Sequence, residues 1–289
     1  MRSTLPLLGV LALSLAGCHT TPQLLTDRPR ITRGVAMQDV TFYSAALQRQ
    51  MSYRVFLPAK ILSGQKLPVV YLLHGGNCDF RNWSNYSDVA NYAAKGLILV
   101  MPEGDSSYYM NAALKPADRY EDYLTSDLIA DVEARFPAAK GRENRAIIGF
   151  SIGGFATIKL ALSRPELYAF VGALSSAIDV PRRGFDIQHI PEWRNVRTIF
   201  GPYGSKSRQS RDPLILVQSA NPAVTPYLYL TSGDKDSLLK PNLSFAAILC
   251  QRHFAYEFHT TPGGHNWDVW NSQLPECFEV LFRHLAAAQ

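Results

Sequence analysis

A doubly wound α/β fold, with a mostly parallel central sheet and helices on both faces, is predicted for this chain by three observations. Short, nearly continuous apolar runs recur along the sequence. Stretches of helical period separate them, and the first two strand-like segments alternate apolar with polar residues instead. Segments 35–43 and 48–57 show that alternation around a turn and read as an antiparallel hairpin. From residue 67 the pattern changes to 67–73 (LPVVYLL), 97–101 (LILVM), 145–150 (RAIIGF), 168–174 (YAFVGAL) and 227–231 (YLYLT). Runs of this kind are what strands buried on both faces look like, as in a parallel sheet covered by helices. Helices are expected between them at about 82–94, 120–135, 152–163 and 238–254, followed by a last strand at 255–260 and a closing helix at about 272–287. The stretch 177–212 has no such period, and is expected to form a lid or wall over a pocket within a single domain spanning 35–289.

Composition narrows the function classes. With 289 residues, 47% hydrophobic and 18% charged, the chain is neither disordered, collagen-like nor disulfide-dense. The net charge is +5 with Lys and Arg scattered, so no nucleic-acid partner is expected. Met1-Arg2 and the apolar run at 5–15 read as a secretory signal over 1–17, too short to span a hydrocarbon core of about 30 Å. Its end, Leu15-Ala16-Gly17-Cys18, is similar to the lipobox of bacterial lipoproteins. That resemblance implies a diacylated Cys18 at the new N-terminus, a polar tether over 18–34, and a cell-envelope protein held to the membrane by its lipid. His19 in place of Asp after the cysteine leans toward the outer membrane or a periplasm-facing location. Of the other cysteines, Cys78, Cys250 and Cys277, a bridge between the last two and two buried thiols both fit. No spacing reads as a metal site, and no metal or other cofactor is expected.

The chemistry sits at strand ends. Gly149-Phe150-Ser151-Ile152-Gly153 follows the strand 145–150 directly and opens the next helix, the strand–turn–helix setting of a nucleophile elbow. A nucleophilic serine needs a base, and the base an orienting acid later in the chain. His265, in the glycine-rich loop 262–267, is the candidate base, whereas His189 comes too early and His253, His259 and His284 lie in regular elements. Asp234 and Asp236 both follow the strand 227–231, and spacing does not choose between them. An oxyanion hole is expected from the backbone N–H of Ile152 and one from the loop His74-Gly75-Gly76-Asn77, with His74 itself structural.

Taken together, Leu72-Leu73-His74-Gly75-Gly76, Met101-Pro102-Glu103-Gly104, Tyr120-Glu121-Asp122-Tyr123-Leu124, Gly149–Gly154, Thr231–Asp236 and Gly263-Gly264-His265-Asn266-Trp267 resemble the esterase D group of α/β hydrolases. That group includes S-formylglutathione hydrolases, feruloyl, acetylxylan and enterochelin esterases, and mycolyltransferases. The resemblance implies the α/β-hydrolase fold and a serine esterase. In it Ser151 is the nucleophile, His265 the base, Asp236 (through G-x-x-D-x-L) the acid, and Gly76 and Ile152 the oxyanion donors. It departs at Glu103-Gly104-Asp105 and Asn77-Cys78, which bear on substrate contacts. The expected substrate is a small acyl or carbohydrate-linked ester. An acyltransferase using the same acyl-enzyme and a non-catalytic envelope-binding lipoprotein are the alternatives.

Overall fold

A computed structural model describes residues 26–286. Eight strands form one sheet in the order β1-β2-β4-β3-β5-β6-β7-β8. They are β1 (Val35–Ser44), β2 (Arg49–Pro58), β3 (Val69–Leu73), β4 (Ile98–Pro102), β5 (Arg145–Phe150), β6 (Phe170–Leu174), β7 (Tyr227–Gly233) and β8 (Tyr256–Thr261). The hairpin pairs Val35 with Pro58 and Ser44 with Arg49, and β2 joins β4 antiparallel. Every later pairing is parallel. The apolar runs of β3, β4 and β6 are buried along their whole length. This is the strand order and direction of an α/β hydrolase, as expected.

The helices are α1 (Asn82–Tyr86), α2 (Ala90–Ala93), α3 (Tyr120–Asp122), α4 (Leu128–Arg135), α5 (Ile152–Ser163), α6 (Ile190–Phe200), α7 (Lys206–Gln209), α8 (Pro213–Ser219), α9 (Leu239–Gln251) and α10 (Trp267–Ala286). One core layer packs α5, α9 and the α3–α4 segment against the sheet; the other packs α1, α2 and α10 against the opposite face. Among the described residues no helix is long and apolar enough to cross a membrane.

Four expectations change. The helix expected at 82–94 is two short helices, because Ser87 is extended (φ −136°, ψ 160°) and its hydroxyl donates to the Trp83 carbonyl at 2.5 Å. The helix at 120–135 passes through a π-turn, Tyr123–Asp127. The closing helix begins at Trp267 rather than near 272, carrying Pro275 inside it, so it starts two residues after His265. The stretch 177–212 is half helical: a 3₁₀ turn, Val180–Arg182, precedes α6, which buries Val196, Ile199 and Phe200.

That stretch is bolted down by arginines. Buried Arg208 donates to the carbonyls of Pro181, Arg183 and Gly201, and Arg182 pairs with buried Asp212 at 2.6 Å. The same device holds the start of the chain. Arg54, fully buried on β2, forks onto Asp27 and Asp39 and bonds Ser84. Arg30 and Thr32 also bond α1 and α2 neighbours, so residues expected to belong to a free tether lie against the domain from Asp27. The expected signal peptide and Cys18 fall outside the described residues.

Candidate active site

Ser151 stands between β5 and α5 with φ 56° and ψ −117°. A non-glycine residue held there stores about 1–3 kcal/mol of strain, so the surroundings must fix it. Its N–H donates to the Leu174 carbonyl at 2.9 Å, and its own carbonyl accepts from the N–H groups of Phe155 and Ala177, both at 3.0 Å. The elbow is crowded as well as bent. A Cβ on Gly153 would lie 2.5 Å from the Leu73 carbonyl oxygen, and one on Gly75 would lie 2.5 Å from the Phe150 ring and 3.3 Å from Ser151 Cβ. Glycine at both positions lets the loop after β3 lie directly on the elbow.

Gly76 follows in that loop beside Ile152, whose Cδ1 lies 3.9 Å from where a Gly76 Cβ would be. Among the described residues no protein acceptor takes the Gly76 N–H. Ile152, as the first residue of α5, has no intrahelical acceptor for its N–H. Two donors therefore stand free next to the serine, at the end of a helix whose dipole favours negative charge.

The carboxyl ends of β7 and β8 bring the other two candidates together. Asp236 Oδ2 lies 2.9 Å from His265 Nδ1, and its Oδ1 accepts the Leu238 N–H at 2.8 Å. Burial alone would raise this carboxyl, but the bond and charge of His265 and the Leu238 N–H hold it below the usual carboxylate value. Asp234, two residues earlier, does a different job: its Oδ1 accepts the Gly263 N–H at 2.8 Å, fixing the loop that carries His265. The His265 ring meets Trp270 edge-on at 5.1 Å, and Trp270 stacks on Phe150 at 4.4 Å. An aromatic cluster thus joins the base loop to the elbow strand. His265 is 33% exposed while the Asp236 side chain is fully buried. Among the described residues no hydrogen bond joins Ser151 Oγ to the His265 ring, a bond that commonly tightens only with substrate bound.

Three of the remaining histidines have other partners. His189 pairs with Asp186, His259 lies between Glu257 and Glu276 on a Tyr229 face, and His284 stacks on Tyr227. Cys250 is exposed and Cys277 buried, with no disulfide between them, so neither of the two expected cysteine arrangements forms in full. Roles that the sequence does not announce are those of Asp234 as a loop fastener, and of Glu103 and Tyr109 around His74. Their partnerships join separate loops, so no local pattern announces them.

The Esterase family model matches residues 44–280. An acetyl esterase of Caldicellulosiruptor saccharolyticus is 24% identical over 266 residues, covering 86% of this chain and 98% of that protein. Among solved structures, the fluorophosphonate-binding serine hydrolase F of Staphylococcus aureus is 25% identical with a TM-score of 0.74, over 85% of this chain and 98% of its own. An S-formylglutathione hydrolase of Agrobacterium tumefaciens shares the fold at a TM-score of 0.76 and 20% identity, covering 91% and 99% of the two chains. These matches remove the non-catalytic alternative. The chain belongs to the Esterase family of α/β hydrolases and is a serine carboxylic-ester hydrolase.

Proposed function

We propose that Ser151, His265 and Asp236 are the nucleophile, base and orienting acid of this hydrolase, with Gly76 and Ile152 as its oxyanion donors. The observation that carries the reading is the 2.9 Å contact between the buried Asp236 carboxylate and His265 Nδ1. It fixes the proton on Nδ1 and leaves Nε2 as the acceptor for the Ser151 hydroxyl. As Oγ attacks the ester carbonyl, Nε2 takes its proton and the carbonyl π electrons move onto oxygen. The two free N–H groups stabilise that oxyanion, each by roughly 10²–10³ in rate. Collapse breaks the bond to the alcohol, which leaves with the proton from His265. Water then repeats the sequence on the acyl-enzyme and releases the acid. No step calls for a metal.

The substrate we infer is a small acyl ester, free or carbohydrate-linked; the match to an acetyl esterase supports the short acyl side. The partly open setting of His265 supports water as the acceptor. With the purified protein, p-nitrophenyl acetate and butyrate are expected to turn over faster than the octanoate. Fluorophosphonate should abolish turnover while labelling one site, Ser151. Label on another residue, or no ester cleaved, would overturn the assignment. Acylated sugar formed when a sugar acceptor is added would instead make the protein an acyltransferase.

The cell-envelope location and anchor are part of the same proposal, supported by the lipobox-like Leu15–Cys18 segment. Cys18→Ser is expected to lose palmitate incorporation and to leave the membrane fraction. Unchanged labelling and fractionation in that variant would rule the anchor out.

A further inference from the structure

Building on the oxyanion assignment above, we propose that His74 is the positioning residue that holds the Gly75–Gly76 peptide with its N–H turned toward the reacting carbonyl. His74 is fully buried, and Nδ1 has a partner whose role is unambiguous. Nδ1 lies 2.8 Å from the Gly75 carbonyl oxygen, which can only accept. Nε2 receives the Gly104 N–H at 2.9 Å, which can only donate. Nδ1 therefore carries a proton, which it gives to Gly75.

The consequence lies in the peptide plane. The described chain contains no cis peptide, and in a trans peptide the carbonyl of Gly75 and the N–H of Gly76 point to opposite sides. Fixing the oxygen on His74 thereby aims the N–H away from His74. Rotated by half a turn, the same peptide would present a carbonyl oxygen where the oxyanion forms, and repel it. Two successive glycines make such a rotation sterically cheap, so something outside the peptide must choose the orientation.

His74 is itself held from three sides. Its N–H donates to the Tyr109 hydroxyl at 2.9 Å, and that hydroxyl lies 3.3 Å from the His74 carbonyl. Glu103 Oε1 lies 3.2 Å from Nε2 and accepts the N–H groups of Gly104 at 3.0 Å and Asp105 at 2.7 Å. Because Gly104 keeps Glu103 as a second acceptor, removing the His74 ring leaves no unpaired donor there. The link from Nδ1 to Gly75 can thus be cut with little other damage.

The test replaces His74 in the full chain and counts competent sites by fluorophosphonate labelling carried to completion. His74→Leu is expected to lower kcat per labelled serine on p-nitrophenyl acetate by about 10²-fold with KM unchanged. It should weaken a trifluoromethyl ketone, whose tetrahedral adduct needs the same N–H, by the same factor. His74→Asn, which keeps an N–H near the Nδ1 position, should recover most of both. His74→Gln, whose amide reaches the Nε2 side instead, should not. Unchanged kcat per labelled serine in His74→Leu, with only a lower thermal midpoint, would reduce His74 to packing. Should the leucine variant not fold, equal kcat in the asparagine and glutamine variants would overturn the proposal just as well. Failure of the triad reading shows separately, as absence of label on Ser151 in the unaltered protein.

Discussion

Ser151→Ala is expected to lower kcat on p-nitrophenyl acetate by about 10⁶-fold. Nucleophile and base act as one unit, so losing either removes nearly all of the covalent route. The remaining turnover should exceed that in water, because the N–H groups of Gly76 and Ile152 are still in place for direct attack by water. The double variant Ser151→Ala/His265→Ala should therefore be little slower than Ser151→Ala alone. Folding should barely change: the three backbone bonds at residue 151 use its N–H and carbonyl and survive the substitution. Alanine inherits the φ of 56°, so the strain stays as well. Steady-state rates on enzyme freed of contaminating esterase, together with a thermal melt, check both halves. Activity within tenfold of the unaltered protein would remove Ser151 from the chemistry.

How much of this was legible in the chain depended on whether a feature was local. The buried strands announce themselves, because a strand covered on both faces has no room for polar residues; LPVVYLL and YLYLT leave little choice. The elbow is local too, since the bend, the glycine and the serine lie within five residues. Helix ends read less well. The closing helix was expected from about residue 272, yet α10 runs from Trp267 and carries Pro275 inside it. Ser87 breaks a helix through a hydroxyl-to-carbonyl bond that propensity alone does not reveal. α6 hid in a charged stretch because it buries only one narrow face.

From spacing alone the proposed acid was legible only as a pair, and the family resemblance pointed to Asp236. Asp234 and Asp236 sit on the same loop, and spacing treats them alike. What separates them is tertiary: Asp236 meets His265 and Asp234 meets Gly263, each 29 residues along the chain. Gly233 enforces that contact, since a Cβ there would lie 2.3 Å from the Gly263 carbonyl oxygen. His74 is the same case: its sequence context says only that it precedes the elbow, whereas its two ring partners define its work.

Asp236→Asn is expected to cost about 10⁴-fold in kcat with the fold intact. Asparagine is nearly isosteric and can keep its oxygen on the Leu238 N–H, as Oδ1 does now. The group facing His265 Nδ1 then becomes an NH₂, which requires an unprotonated Nδ1. The imidazole proton moves to Nε2, where an acceptor for the Ser151 hydroxyl is needed, and the base is lost while every heavy atom stays in place. Asp234 cannot take over, because its carboxylate is engaged with Gly263. Stability supplies an independent check with a defined sign. Against burial, the His265 and Leu238 bonds hold the folded carboxyl below its ordinary 3.8. An acid depressed on folding stabilises the native state above its unfolded pKa, and that contribution is lost as pH falls through the folded value. The neutral asparagine has no such dependence. The stability difference between the two proteins should therefore be constant at neutral pH and shift against the unaltered protein below about pH 4, as urea unfolding at several pH values would show. A difference flat through that range, or activity retained in the variant, would show that this carboxylate does not hold the base.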